Sequence, residues 1–475
     1  MIAAAPPSVP EAPGALQDPG SFRDPSGFIF RRDGIVLRQV NRSFAREWDD
    51  LGGSGLLDTL QAKGLLVPHE TAPLDAALRP KLAHAVIRPE QLDFVSYPYE
   101  WSFGQLRDAA LLTLEAQTVA AEAGFTLRDA TAYNVQFQRG RPLLIDTLSF
   151  ERAEPGAAWL AYRQFCEHFL PPLALMARRD VRCGLMLREF VDGIPLDLVA
   201  KLLPGRTKLN PGLLSHVHLH ARAQTRYADS AEAGAKAASR RTMSPLRQRA
   251  LIDSLRRTVE GLRWEPSGTE WADYAENTSY GEDAARRKDE LVGEFLRATP
   301  GERVWDLGAN TGRFSRIAAD LGRRVVAWDV DPAATERHYR RLRTDGTTTI
   351  LPLVLDLANP SPGLGWANAE RRSLEDRADP DVVLALALVH HLAISRNVPL
   401  ERLADFFAGL APGLIVEFVP KDDPMGQKLL ATREDVFPGY TLDGFRSAFG
   451  RRFEIAEEAP IGDSPRVLFR MQRSS

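Results

Sequence analysis

An acid, two glycines and a helix start are compressed into residues 306–313, Asp306-Leu-Gly308-Ala-Asn310-Thr-Gly312-Arg313, directly after the apolar pair Val304-Trp305. In an open parallel sheet a ligand sits beyond the carboxyl ends of the strands, where the first strand-to-helix turn must bring backbone close to it. Gly308 and Gly312 permit that approach, because a Cβ at either place would crowd the ligand. The nicotinamide and flavin fingerprint G-x-G-x-x-G is not met, since Asn310 and Arg313 stand at its second and third glycine positions. No G-x-x-x-x-G-K-[ST] phosphate loop occurs either.

Further groups able to do chemistry follow. Asp329 ends the apolar run in "VVAWDVDP" and Asp356 ends that in "LVLDLANP". His390 and His391 close "ALVHHL", and histidine titrates near neutrality. Glu417, Asp422 and Asp423 lie in "VEFVPKDDP", where they could bind or deprotonate an acceptor, or be solvated loop acids.

The elements that must hold these groups alternate between strand and helix signals from residue 302 onward, which implies a parallel sheet with helices on both faces. "RVWDLG" precedes a helix from Arg313, "RRVVAWDVD" a helix from near Pro332, and "TILPLVLDL" a loop. After them come "DVVLALALVHHL", a helix near Leu400 to Leu410, and "GLIVEFV". "FEIAEEA" and "RVLFRMQ" flank the turn-rich "PIGDSP", which predicts an antiparallel pair at the sheet edge.

The Asp-x-Gly-x-x-x-Gly pattern at 306, 308 and 312 resembles the first motif of class I S-adenosylmethionine-dependent methyltransferases, and the resemblance spans roughly residues 270–475. It implies an α/β fold, a Rossmann-like doubly wound sheet with antiparallel last strands, and S-adenosylmethionine as cofactor. It also implies roles. Asp306 would orient the amino-acid part of the cofactor through the turn, and the backbone from Gly308 through Asn310 to Gly312 would line it. Asp329 would accept the ribose hydroxyls, and Asp356 would sit beside the adenine. His390, His391 and Glu417 would meet the acceptor, with catalytic parts. In this family a helix commonly covers the cofactor ahead of the first strand, and the segment 270–292 supplies Tyr274, Asn277, Tyr280 and Lys288 as candidates.

Amino-methylating DNA enzymes of the same superfamily carry Asp/Asn-Pro-Pro-aromatic where this chain reads "LVHHL". With a net charge of −3 and no basic stripe, nucleic acid is not the expected substrate. A small-molecule or glycan-type acceptor, methylated on oxygen, is expected instead.

The N-terminal half offers "LRDATAYNVQFQRGRPLLIDTLSFE", residues 127–151, which resembles the catalytic segment of protein and antibiotic kinases. Asp129, Asn134 and Asp146 stand near that family's H-R-D-x-x-x-x-N and D-F-G positions, where they would position a hydroxyl and hold magnesium. The departures are Leu127 for the histidine and Thr147-Leu148 for Phe-Gly; no glycine-rich loop or V-A-I-K lysine occurs between 26 and 90. The expected role is a degenerate kinase-like α+β scaffold that binds or presents the acceptor. Two alternatives remain open: a bifunctional kinase and methyltransferase, and a non-catalytic module that only binds the cofactor.

At 475 residues the chain suggests more than one domain. The texture divides it into a disordered tail (1–25), a kinase-like unit (26–227) opening with a hairpin at Asp33-Gly34, a linker (228–243), and a methyltransferase unit (244–475) begun by a helix capped at Ser244-Pro245. His216, His218 and His220 alternate, but on a helix His218 would diverge from the other two, and no metal site is expected. The longest uncharged segment, 382–395, is too short to span a membrane. Two cysteines, Cys166 and Cys183, and no signal segment suggest a cytoplasmic protein. Nothing bears on oligomeric state.

Overall fold

The computed structural model describes residues 15–228, 243–266, 281–431 and 434–474. In the N-terminal half, β1 (Ala15–Gln17), β2 (Gly27–Arg32), β3 (Ile35–Asn41), β4 (His69–Ala72) and β5 (Ala83–Pro89) form an antiparallel sheet in the order β1-β2-β3-β5-β4. The β2–β3 hairpin turns on Asp33 and Gly34, both with left-handed φ (52° and 78°), as the Asp-Gly pair predicts. Of the residues expected in a disordered tail, Ala15–Gln17 instead form the edge strand of the sheet, and residues 18–25 connect it to β2. Ala15 to Gln17 pair with Phe30 to Arg32, and Asp18 N donates to Ile29 O at 2.9 Å. These are backbone contacts, to which an Ala- and Pro-rich composition gives no clue.

Ser102 caps the helix Phe103–Glu122, reciprocated by Gln105, and nearly every face of that helix is buried. After it the chain runs through β6 (Phe125–Leu127), the loop carrying Asp129 and Asn134, the hairpin β7 (Val135–Gln138) to β8 (Arg141–Leu144), Asp146, and β9 (Phe150–Arg152), which returns to pair with β6. A loop, a hairpin and a returning strand in that order suit the catalytic segment of the kinase resemblance.

The C-terminal half is a seven-stranded sheet of β10 (Arg303–Leu307), β11 (Arg324–Asp329), β12 (Ile350–Val354), β13 (Val382–Ala385), β14 (Gly413–Phe418), β15 (Phe453–Pro460) and β16 (Val467–Arg473). Its order is β12-β11-β10-β13-β14-β16-β15; the first five strands are parallel, and β16 runs antiparallel between β14 and β15. Helices Arg313–Asp320, Pro332–Asp345 and Leu400–Leu410 fall where the sequence puts them. This is the doubly wound α/β sheet with antiparallel last strands that the resemblance implies.

The two faces of this sheet are covered differently. Val304, Val325, Ala327, Val382 and Leu384 pack on the helices Glu282–Ala298 and Arg313–Asp320. On the opposite face Trp305, Trp328, Leu353 and Val383 join one continuous core with the N-terminal half. The connection from β12 to β13, residues 355–381, contains only two short 3₁₀ turns, and Phe94 fills the space a crossover helix would take. Its ring meets Trp305 and Trp328 edge-on, with centroids 5.8 and 5.6 Å away. Beside it Arg377, from that connection, forms a bidentate ion pair with Glu100 and stacks on Tyr97 at 4.4 Å, all buried.

The helix Pro245–Gly261, expected to open the methyltransferase unit, belongs by packing to the N-terminal half. Ile252, Leu255 and Val259 enter that core, and Arg256 pairs with Glu115 at 2.8 Å. Its apolar spacing could announce a buried stripe but not the unit that buries it. Among the described residues the first helix packed on the seven-stranded sheet is therefore Glu282–Ala298.

His216 and His220 both contact Tyr162, by a 2.8 Å hydrogen bond and a 5.1 Å stack, whereas His218 bonds Thr207. The divergence follows from the helical turn on which they sit. No helix among the described residues is long and apolar enough to cross a membrane.

Arg377 and Glu100 tie the halves together in a water-poor place, so removing one strands the other's charge. Arg377→Ala is expected to lower the free energy of unfolding by about 3–5 kcal/mol, with Glu100→Ala/Arg377→Ala recovering part of the loss. Urea denaturation of the three proteins measures this; equal stability of Arg377→Ala and the parent chain would refute it.

Candidate functional site

The turn after β10 is unusually bent. Gly308, Asn310 and Gly312 all have left-handed φ, at 80°, 49° and 82°. Neighbouring β11 holds this shape, because Trp328 O accepts from Gly308 N (2.8 Å) and Ala309 N (2.9 Å), and Asp329 Oδ2 accepts from Asn310 N at 2.7 Å. A Cβ on Gly308 would meet only Leu388, at 3.4 Å. On Gly312 it would fall 2.1 Å from the His338 ring. Gly312 thus serves the close packing of helix Pro332–Asp345 rather than an open ligand space, which refines the reading that both glycines admit a ligand.

Asp306 is buried in the strand and accepts from Ser315 Oγ at 2.6 Å, pinning the first turn of the helix that follows. Asp329, 8% exposed at the end of β11, also accepts from Asp331 N at 2.8 Å through Oδ1. Burial pushes both carboxyls up to about 6. Asn310 N and Asp331 N thus bond different oxygens of Asp329, and a carboxylate can accept hydroxyls beside such partners. Asp356, two residues past β12, is half-buried; it accepts from Ala358 N at 2.9 Å and faces Arg396 at 3.7 Å. Because β12, β11 and β10 are neighbours in register, Asp306, Asp329 and Asp356 sit at the carboxyl ends of three adjacent strands.

Beyond β13 the chain leaves the sheet in another bend, with Ala387 at φ 49°. A residue with a Cβ stays there only if held. Ala387 N donates to Glu417 Oε2 at 2.8 Å, and the same oxygen takes Lys288 Nζ at 2.5 Å. Glu417 Oε1 pairs with Arg466 at 3.2 Å, and Arg466 grips Asp423 with two bonds of 2.7 and 2.9 Å. All four charged side chains are buried. Asp423 also caps the helix Pro424–Leu430, whereas Asp422 is exposed.

His390 and His391 follow the bend, with ring centroids 4.1 Å apart. His390 is 0% exposed, and neither of its ring nitrogens has a hydrogen-bond partner among the described residues. Burial, with His391, Arg466 and Lys288 adding to it, lowers its basicity well below the usual imidazole range. His391 is pushed down to about 4 by burial and Arg466. Both are neutral at physiological pH.

Lys288, expected in a cover over the cofactor, points inward to Glu417 instead and lies 4.7 Å from the centre of the Phe314 ring. Tyr274, Asn277 and Tyr280 lie outside the described residues. Sequence reasoning missed Arg466 and the bend at Ala387. Arg466 stands just before β16, more than forty residues from both its partners, and an alanine carries no sign of a left-handed φ.

Removing Arg466 would leave Glu417 and Asp423 short of a partner in a dry site. Arg466→Ala is expected to cost about 3–5 kcal/mol of stability in chemical denaturation. A cost under about 1 kcal/mol, the range of exposed pairs, would mean that the cluster is solvated.

No family model matches the chain. Among solved structures it is similar to magnesium protoporphyrin IX methyltransferase (ChlM) from Synechocystis PCC 6803 with bound SAM, at 18% identity over 44% of this chain and 86% of that one, with a TM-score of 0.29. It is also similar to the N-methyltransferase NodS from Bradyrhizobium japonicum WM9, at 13% identity over 41% of this chain and 98% of that one, TM-score 0.30. WbdD matches at 16% identity over 43% of each chain, TM-score 0.29. Among curated proteins it is 35% identical, over 453 residues and 94% of both chains, to nodulation protein NoeA of Rhizobium meliloti (strain 1021). At that identity along nearly its whole length, the chain belongs to the family of nodulation protein NoeA.

Proposed function

We propose that this protein is an S-adenosylmethionine-dependent methyltransferase acting on a hydroxyl of a small-molecule or glycan-type acceptor. The observation that carries the reading is the gathering of Asp306, Asp329 and Asp356 at the ends of three adjacent strands, around a turn that Asp329 itself holds open. The donor set fits the cofactor. A carboxylate such as Asp329 can accept ribose hydroxyls beside its backbone partners, and the bent backbone from Gly308 through Asn310 supplies a lining. Asp356 is assigned to the adenine.

When bound, the cofactor supplies an electrophilic methyl group on a sulfonium. The protein's share is to align the acceptor, exclude water and take its proton. His390 is our choice for the proton: neutral and buried, with no hydrogen-bond partner for either nitrogen among the described residues, it has an acceptor nitrogen to offer. Glu417, whose two oxygens already bind Lys288, Arg466 and Ala387 N, is assigned to hold the bend that carries the histidines. NoeA is named for nodulation, and its name specifies no acceptor.

Asp329→Ala is expected to weaken cofactor binding by on the order of 1 to 3 kcal/mol in calorimetry, and unchanged affinity would sink the placement of the ribose. The Asp329 carboxyl charges only above about pH 6, so affinity should be full at pH 8 and decline as pH falls through 6, with a shallower decline in Asp329→Asn. His390→Gln should lower kcat by roughly 100-fold or more while leaving cofactor affinity in place. Radiolabelled methyl transfer to candidate acceptors measures this, and an unaltered kcat would remove His390 from the proton path.

A further inference from the structure

The kinase resemblance implies a magnesium site in the N-terminal half, at Asn134 and Asp146. Asp146 does lie close to its expected partners, yet it is already in use. Arg38, projecting from β3, places Nη2 2.6 Å from Asp146 Oδ1, with the two side chains only 9% and 18% exposed. The same oxygen accepts from Leu148 N at 2.9 Å, and Oδ2 accepts from Ser149 Oγ at 2.7 Å. Ser149 Oγ also receives Asn134 Nδ2 at 3.3 Å. Magnesium needs a near-octahedral set of oxygens at roughly 2.0–2.1 Å, several of them water. A guanidinium in contact with the same carboxylate occupies that space and repels a second cation. Arg38 also pulls Asp146 below the ordinary carboxylate range against the effect of burial. The residues present therefore do not fit a metal.

The approach to the loop is occupied as well. The β12–β13 connection reaches across, and the Arg371 guanidinium lies 4.2 Å from the centre of the Tyr133 ring, beside Asn134. Its neighbours hold the β1–β2 connection: Glu370 binds Arg23 at 2.6 Å, and Arg372 binds Asp18 at 2.7 Å. Arg372 N further donates to Tyr97 OH at 2.7 Å. In the kinase pattern a flexible glycine-rich loop covers the phosphates. Here the sheet offers a two-residue turn at Asp33-Gly34 and a β1–β2 connection fastened to the other half.

We infer that the N-terminal half is a closed scaffold that takes up neither magnesium nor nucleotide. The Arg38 guanidinium stands in the metal's place, and residues 370–372 of the methyltransferase half close the mouth. What this half contributes is the cover over the sheet face between β12 and β13. The inference is independent of methyl transfer, and it disfavours the bifunctional alternative.

The test is titration of the full-length chain with Mn²⁺, alone and with ATP, followed by the electron paramagnetic resonance of free Mn²⁺. The parent chain should take up neither. Arg38→Met, which frees Asp146, should gain one Mn²⁺ per chain with affinity roughly tenfold or more above the parent, and Asp146→Asn in that background should abolish it. Arg38→Lys keeps the cation and should remain without a site, and cofactor affinity, read in parallel, reports that each variant is folded. Uptake of Mn²⁺-ATP by the parent chain overturns the inference. So does a folded Arg38→Met variant that gains no Mn²⁺. The parent and Arg38→Lys titrations decide the matter even where Arg38→Met does not fold.

Discussion

A parallel sheet is apolar on both sides and must be covered on both, and between β12 and β13 this chain supplies no helix to do it. The constraint shapes the rest of the molecule. Trp305 and Trp328 would face water if Phe94, Tyr97 and the Glu100–Arg377 pair did not pack against that face. Two further contacts extend the junction: Gly104 N donates to Glu336 at 2.7 Å, and Tyr339 OH to Asp108 at 2.7 Å. The halves therefore share one core. An N-terminal half of this shape can be kept for this reason alone, since the contacts that stabilise the sheet need its shape and not its chemistry.

The same junction bears on the cofactor site. Helix Pro332–Asp345, pressed on one side by the N-terminal helix Phe103–Glu122, presses on the other against Gly312 through His338. Gly312 in turn ends the bend whose backbone Asp329 and Trp328 hold. A chain of close contacts thus runs from the scaffold to the turn that would line the cofactor. Such contacts make a stiff frame, because a well-packed interior has few ways to relax.

At the ends of β13 and β14 the protein tolerates arrangements that cost stability. Four charges are buried together, a non-glycine residue is held at positive φ, and an imidazole is enclosed without a hydrogen bond among the described residues. Each is unfavourable alone. Found together at the strand ends opposite the three acids, they mark the place where a foldable sequence departs from what packing alone would select.

Much of this was legible in one dimension. The alternation of strand and helix, the Asp-x-Gly-x-x-x-Gly turn, the acids at successive strand ends and the Asp33-Gly34 hairpin all depend on neighbours a few residues apart, and short-range geometry is what spacing encodes. The Asp129, Asn134 and Asp146 pattern was legible in the same way, but its state was not: Arg38 lies more than a hundred residues from Asp146. Also beyond reach were the allegiance of helix Pro245–Gly261, the inward turn of Lys288 and the grip of Arg466 on Glu417 and Asp423. The sequence alone determined which local elements form and which chemical groups stand at their ends. Tertiary structure alone decided which of those groups stay free to bind a ligand, because a buried charge takes whichever partner the fold brings near, at any distance along the chain.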